Sequence, residues 1–170
     1  MLTIIQHPSP NFDDRPCGTN IDTVVLHYTD MVSASASLER LCDPVYKVSS
    51  HYLLDEDGTI YQLVNEEKRA WHAGESFWKG RNKVNDFSIG IELQNPGHVH
   101  FLEKGYWHPY SDAQYQALLS LLNKMTLQYP LISQNTVGHC HVAPNRKIDP
   151  GPHFDWEFLK KNGFVHVSKQ

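Results

Sequence analysis

The pattern of apolar and polar positions divides the chain into short strands and helices. Residues 88–94 alternate between isoleucine or leucine and smaller or polar residues, which is the period of a strand with two different faces. The β-branched run at residues 23–27 predicts a buried strand. Residues 51–54 and 59–64 flank an Asp-Gly turn signal, so they predict a β-hairpin.

Helical periods appear between these strands. Residues 33–42 predict a short helix, and residues 111–129 predict a longer one with capping residues at its start and a proline after its end. A short final helix is expected at residues 155–162, where Gly163 suits its C-terminal cap. The order strand, helix, hairpin, strand, helix predicts an α/β fold with helices flanking a central mixed β-sheet.

Length and composition indicate one globular unit. The 170 residues fall in the range of a single domain, so we assign residues 1–170 to one domain. A formal net charge of −4 without any block of basic residues gives no support for a nucleic-acid partner. The chain has no run of 18 apolar residues, so we expect no integral membrane segment.

Cysteine usage and the N-terminus bear on the compartment. Cys17, Cys42 and Cys140 are odd in number and lack paired spacing, which favours a reducing environment. The first residues lack the charged and apolar regions of a secretory signal, so we expect a cytoplasmic protein. If the natural chain carries further residues before Met1, a periplasmic or envelope-associated location stays open.

The most informative chemistry lies in residues 137–152, a segment rich in proline and glycine. We expect it to be neither a helix nor a central strand. It holds His139 and Asp149 ten positions apart, with Lys147 between them. Imidazole nitrogen and carboxylate oxygen are zinc ligands, and a catalytic zinc takes three protein ligands plus water. The best third candidate is His27, at the end of the first buried strand. A polar loop with incidental histidines is the alternative, because the chain has 11 of them.

Four motifs carry a family resemblance. They are VVLHYT (24–29), VSSHYLLD (48–55), AWHAG (70–74) followed by NDFSIGIEL (85–93), and GHCHVAPNRKIDPG (138–151). In this order they strongly resemble the zinc-dependent N-acetylmuramoyl-L-alanine amidases of the amidase type 2 family. The likeness is closest to the AmiD branch, with the AmpD branch, phage amidase-lysozymes and peptidoglycan recognition proteins as wider relatives. It extends from about Ser9 to about Trp156 and implies the α/β fold of that family.

The resemblance also implies a metal site and catalytic residues. One Zn²⁺ per chain would be held by His27, His139 and Asp149. Glu92 would act as general base for the attacking water, and Lys147 would stabilise the oxyanion of the tetrahedral intermediate. The residues alone leave plainer alternatives open: a strand-end histidine, a turn-forming aspartate, a solvated strand glutamate and a solvated loop lysine.

Three further residues are candidates for substrate binding. Trp71 and His72 are expected to line the substrate groove. His51 is a third candidate, although a hydrogen-bonded histidine within the sheet explains it equally well. Cys140 lies beside a predicted ligand but is not expected to bind the metal. His141 stands where many relatives have an acidic residue, so any support that this position gives to a ligand is altered here.

The activity implied by the resemblance is hydrolysis of one amide bond in peptidoglycan or a muropeptide. The bond joins the lactyl group of N-acetylmuramic acid to the L-alanine of the stem peptide. A non-catalytic peptidoglycan-recognition module is one alternative. A zinc amidohydrolase acting on another acyl-amino substrate is a second.

Overall fold

The strands of the computed structural model form one large sheet and two small ones. In chain order they are β1 (Ile4–Gln6), β2 (Phe12–Asp14), β3 (Thr23–Tyr28), β4 (Tyr52–Leu54), β5 (Ile60–Gln62), β6 (Lys68–Ala70), β7 (Phe77–Trp78), β8 (Arg81–Asn82), β9 (Ser88–Leu93) and β10 (Thr136–Gly138). The large sheet has the order β1-β5-β4-β9-β3-β10. Its neighbours are parallel apart from β4 and β5, so the predicted mixed sheet is confirmed. The pairs β2–β6 and β7–β8 are antiparallel.

The structure describes residues 2–164; Met1 and residues 165–170 of the predicted domain lie outside the described residues. The helices are α1 (Ala34–Cys42), α2 (Gly97–Lys104), α3 (Asp112–Thr126), α4 (His139–Val142) and α5 (Trp156–Lys161), with single 3-10 turns at Pro44–Tyr46, Val84–Asp86 and Pro130–Gln134. Within residues 2–164, every helix is too short or too polar to cross a membrane.

Local sequence signals explain several of these elements. Gly58 occupies the turn between β4 and β5 with φ +87°, a conformation that glycine adopts at little cost. Ser111 caps α3, because its Oγ accepts a hydrogen bond from the backbone N–H of Gln114 at 3.0 Å. This helix ends at Thr126, earlier than the predicted 129, and a 3-10 turn follows from Pro130.

The prediction for residues 137–152 is wrong only in excluding a helix, because α4 forms one helical turn there. The first residues of the segment belong to β10, which is an edge strand of the large sheet and not a central one. The prolines and the second glycine all follow Val142, so they leave the strand and the turn undisturbed. Helix α2 and the short strands β1, β2, β6, β7 and β8 are further elements that the pattern did not predict.

The two faces of the large sheet are covered by different structures. On one face, side chains of β3 and β9 such as Leu26 and Ile91 pack in a buried cluster with Leu118 and Leu122 of α3 and with Leu159 of α5. On the other face, α1 packs against Leu53 of β4. The remainder of that second face lies beneath the loops that build the candidate site.

Candidate functional site

The carboxyl ends of three parallel strands meet at one edge of the sheet. His27 lies near the end of β3 and is the register partner of Glu92 in β9. His139 follows β10 directly, as the first residue of α4. Because ligands of open α/β sheets bind outside the carboxyl ends of the strands, this edge is where a site is expected.

The turn after α4 brings Asp149 back to this edge. Its carbonyl oxygen accepts a hydrogen bond from the backbone N–H of Cys140 at 3.0 Å. The next carbonyl, that of Pro150, accepts one from the Tyr110 hydroxyl at 2.8 Å. Gly138 leaves room for this return, because a Cβ there would lie 2.7 Å from Cδ of Pro150. The loop therefore has a fixed path against β10.

His27, His139 and Asp149 converge as predicted. The Nδ1 atoms of the two histidines are 3.0 Å apart, and they lie 2.9 Å and 3.0 Å from Oδ2 of Asp149. All three residues are buried, at 2–5% exposure. Among the described residues they form a group whose ligand atoms could hold a metal ion, and Cys140 is not part of it.

Electrostatics at this group favour a bound cation. Burial would raise the pKa of Asp149, but the adjacent rings of His139 and His27 outweigh it and hold that pKa below its usual range. Burial and then the neighbouring His139 lower the pKa of His27 to about 4, so its ring is neutral at pH 7. Nε2 of His139 lies 3.0 Å from the Ala73 carbonyl oxygen and must donate to it. In a neutral ring Nδ1 then carries a lone pair that points at a carboxylate, an arrangement that a cation stabilises.

Glu92 lies on the same face of the sheet as His27. Its Oε2 is buried and accepts no hydrogen bond from any residue within 2–164. Burial and then the charge of Asp149 raise the pKa of Glu92 well above its ordinary value, while Lys147 acts in the opposite direction. A carboxylate in a cavity wall with a raised pKa is suited to accept and return a proton.

These residues share a cavity of about 710 Å³ with side chains from several elements. Lys147 is one of its lining residues, and its charge lowers the pKa of both Glu92 and His27, which places it beside them. The cavity wall also contains residues of β3, α1, α2 and the loops between them, among them Tyr28, Asp30, Met31, Ser37, Arg40, Leu41, Ser49, His98, Arg146 and Ile148.

The structure separates the three predicted substrate-binding residues. Trp71 and His72 line the cavity. His51 does not line it, and its side chain is fully buried. Its Nδ1 accepts a hydrogen bond from the backbone N–H of Gly90, and its Nε2 donates to the carbonyl of Lys68, both at 3.0 Å. These contacts are those of a hydrogen-bonded histidine within the fold, and they place His51 away from the cavity.

Two further residues hold the Trp71–His72 loop; both lie within the family motifs, but no role was predicted for either. Asn85 Oδ1 accepts hydrogen bonds from the backbone N–H groups of His72 and Ala73, at 3.3 and 2.8 Å. Arg146 donates to the carbonyls of Ala73 and Glu75, at 2.7 and 2.8 Å, which ties this loop to the segment that carries Asp149.

His141, which the sequence singled out, contacts Gly138 and Trp156. Its Nδ1 accepts from the backbone N–H of Gly138 at 2.9 Å, and its ring lies 5.3 Å from that of Trp156.

Known proteins are similar to this chain in sequence and in fold. The family model for N-acetylmuramoyl-L-alanine amidase of type 2 matches residues 17–152. The chain is 39% identical to the 1,6-anhydro-N-acetylmuramyl-L-alanine amidase AmpD of Citrobacter freundii, over 88% of this chain and 84% of that protein. It is 41% identical to the N-acetylmuramoyl-L-alanine amidase AmiD of Escherichia coli, over 84% of this chain and 53% of that protein.

A solved structure of Escherichia coli AmiD with anhydro-N-acetylmuramic acid-L-Ala-D-gamma-Glu-L-Lys superposes with a TM-score of 0.79. It is 38% identical and covers 89% of this chain and 62% of that one. With most of its length matched by the family model and by relatives above 30% identity, the chain belongs to the amidase type 2 family of N-acetylmuramoyl-L-alanine amidases.

Proposed function

We propose that this protein is a zinc-dependent amidase of peptidoglycan or muropeptides, acting as one catalytic domain with one Zn²⁺ per chain. It hydrolyses the amide bond between the lactyl group of N-acetylmuramic acid and the L-alanine of the stem peptide. The observation that carries this proposal is the convergence of His27, His139 and Asp149, within 3.0 Å of one another, in a cavity that Glu92 also lines.

His27, His139 and Asp149 would hold the zinc, since two neutral imidazoles and a carboxylate are a donor set of catalytic zinc sites. When bound, such an ion activates water as a nucleophile and polarises a carbonyl group.

Glu92 is assigned the movement of protons. Its raised pKa and its Oε2, which accepts no hydrogen bond within residues 2–164, suit a group that takes a proton from the attacking water. The same carboxyl then returns the proton to the leaving amine of L-alanine, so that the peptide departs as a neutral amine.

Lys147 is assigned the negative charge that develops on the carbonyl oxygen. It lines the cavity beside Glu92 and His27, and a fixed positive charge there stabilises the transition state more than the neutral amide. Lys147 would therefore raise kcat and have little effect on KM.

The choice of substrate is supported by the relatives. AmiD, similar over 89% of this chain, has been solved with a muramyl tripeptide in which L-alanine follows the anhydro sugar. The cavity of about 710 Å³ lies within the usual range of roughly 300–1,000 Å³ for sites that enclose small ligands. The presence of Glu92 and Lys147 beside a complete ligand set argues against a recognition module without activity.

Mass spectrometry of digested muropeptides tests the proposal. Zinc-loaded protein should release a peptide with L-alanine at a new free amino terminus and leave a lactyl carboxylate on the sugar. The Glu92→Gln protein is the matched control, because it should bind zinc and yield little product. Cleavage between two stem amino acids, or within the glycan, would refute the amidase assignment. Turnover of unrelated acyl-amino compounds alone would favour the second alternative.

A further inference from the structure

A row of hydrogen bonds connects a backbone carbonyl to one of the metal-ligand candidates. The Ser88 hydroxyl lies 2.7 Å from the carbonyl oxygen of Val84 and 3.2 Å from Nε2 of His72. Nδ1 of His72 in turn lies 3.1 Å from Nε2 of His27. The row ends at Nδ1 of His27, the atom that faces Asp149.

The direction of each hydrogen bond in this row follows from the first. The Ser88 hydroxyl has one proton, and only the hydroxyl can donate in its contact with the Val84 carbonyl. Oγ of Ser88 therefore accepts from the Nε2–H of His72. A neutral imidazole carries a single N–H, so Nδ1 of His72 is an acceptor. Nε2 of His27 must then donate to it, which leaves a lone pair on Nδ1 of His27.

The two histidines of the metal group differ in how this lone pair is secured. For His139, Nε2 donates directly to the carbonyl of Ala73, which can only accept. For His27, the partner is another histidine, which can donate or accept through the same nitrogen. A histidine partner alone would allow both tautomers of His27. The bond from Ser88 to Val84 removes this freedom.

From this geometry we infer that Ser88 and His72 are positioning residues that fix the tautomer of His27, so that its Nδ1 is available to the metal. The inference rests on the proposed metal site. It assigns to His72 the role of orienting the metal ligand His27 through a hydrogen bond, in addition to its place on the cavity wall. It also gives Ser88, which touches neither metal group nor substrate cavity, a function in metal binding.

The hydrogen bonds from Ser88 through His72 to His27 are called the relay below, and strand β9 is shaped to accommodate them. A Cβ on Gly90 would lie 2.4 Å from Cγ of His72, so only glycine leaves space for the ring at this position. Ser88, Gly90 and Glu92 share one face of β9 by the alternation of the strand. Ser88 orients the His72 ring, Gly90 leaves space for that ring, and Glu92 is the proposed proton acceptor.

Nitrogen NMR of the histidine rings tests the relay directly. Long-range ¹H–¹⁵N spectra distinguish protonated from unprotonated ring nitrogens, and the His72→Asn protein identifies the His72 signals by their loss. We expect His72 to be protonated at Nε2 and unprotonated at Nδ1, both with and without zinc. A proton on Nδ1 of His72 in the zinc-free wild type would overturn the relay.

Zinc affinity provides a second readout, measured by competition with a chromophoric chelator. Partners that orient a metal ligand typically contribute 10–100-fold in affinity, so Ser88→Ala should weaken zinc binding by roughly that factor. At saturating zinc its kcat should return to within a few-fold of wild type, as expected for a positioning residue. His72→Asn keeps an acceptor near the Nδ1 position and should lose less affinity than His72→Ala.

Ser50→Ala is the matched control for losing a buried hydroxyl. Ser50 is fully buried and donates to the carbonyl of Tyr52 at 2.9 Å, outside the relay, so zinc affinity should not change. A Ser88→Ala protein that binds zinc as tightly as wild type would contradict the inference. If wild type binds no zinc at all, the proposed metal site fails, while the tautomer of His72 in zinc-free protein still decides the relay.

Discussion

The two faces of β9 have different roles: one packs in the apolar core, and the other contacts the histidines and the cavity. Ile89, Ile91 and Leu93 are fully buried against the helices on one side. On the other side, Ser88, Gly90 and Glu92 face the histidines and the cavity. Apolar packing has no directional requirement, so the first face tolerates similar side chains of similar volume. Every buried polar atom on the second face needs a specific partner.

The two faces of β9 separate the residues that stabilise the fold from those that serve the chemistry. The Ser88 hydroxyl has two hydrogen-bond partners, and Gly90 has no side-chain polar atom that needs one. Glu92, in contrast, has a buried oxygen without a partner in residues 2–164. Such a group opposes folding and is retained where it has a task. We therefore expect changes on the apolar face to alter stability with little effect on chemistry, and changes on the polar side to do the reverse.

The largest expected effect comes from removing a ligand on the polar side. His139→Ala should lose most of the bound zinc and with it nearly all activity, because the remaining imidazole and carboxylate form an incomplete set. Metal analysis of the purified protein measures the loss. Cys140→Ser is the adjacent control and should keep both metal and activity. Loss of zinc in the cysteine variant instead would show that the ligand assignment is wrong.

Glu92→Gln should come next in size. It preserves the shape of the side chain but removes the proton acceptor, and general acid–base catalysis typically contributes 10²–10⁴-fold, so kcat should fall by roughly that factor. Zinc content should stay at the wild-type level and KM should change much less. A variant within a few-fold of wild-type kcat would reduce Glu92 to a structural glutamate.

Lys147→Met should have a somewhat smaller effect on the same quantity. Removing one group that stabilises an oxyanion costs on the order of 10²–10³ in kcat. Zinc should again be retained, because Lys147 is not in the ligand group. Steady-state kinetics at saturating zinc measures the change. A protein depleted of zinc would mean that the lysine holds the loop rather than the transition state.

On the apolar face, Ile91→Ala should reduce stability and spare the chemistry. Truncating a fully buried isoleucine to alanine removes about 2–5 kcal/mol from the free energy of unfolding. Denaturant unfolding measures this loss, and the surviving folded protein should bind zinc with wild-type affinity. A large loss of zinc affinity in the folded variant would show that the two faces are coupled.

The smallest effect is a pH-dependent gain of stability in zinc-free Glu92→Gln. Burial raises the pKa of Glu92 in the folded state, so its ionisation opposes folding once the pH exceeds the unfolded-state pKa of about 4.3. The variant should therefore melt at a higher temperature than wild type at neutral pH. This difference should shrink as the pH falls toward that value, and a difference that grows in acid would contradict the raised pKa.

The sequence predicted the elements whose signals are local. The alternation of β9 identified both of its faces, and Asp-Gly located the hairpin of β4 and β5. His139 and Asp149 were suggested by their shared segment, and His27 by its place at the end of a buried strand. No local pattern connects His27 to Asp149, so the order of the family motifs was needed to join them in one ligand set.

What the sequence could not predict depends on strand pairing. The contacts of His51 to Gly90 and Lys68 exist only because β4 lies beside β9 and near β6. The relay from Ser88 to His27 depends in the same way on where the Trp71–His72 loop crosses β9. Helix α2 was hidden because Pro96 and Gly97, typical of turns, stand at its start.

X-ray absorption at the zinc edge of the loaded wild-type protein tests the central claim most directly, because it reports the atoms bound to the metal. The account predicts nitrogen and oxygen neighbours at about 2.0–2.1 Å, with the scattering of two imidazole rings. A sulfur neighbour at about 2.3 Å would bring Cys140 into the site, and a third imidazole would make His72 a ligand instead of a positioning residue. Either result would contradict the account.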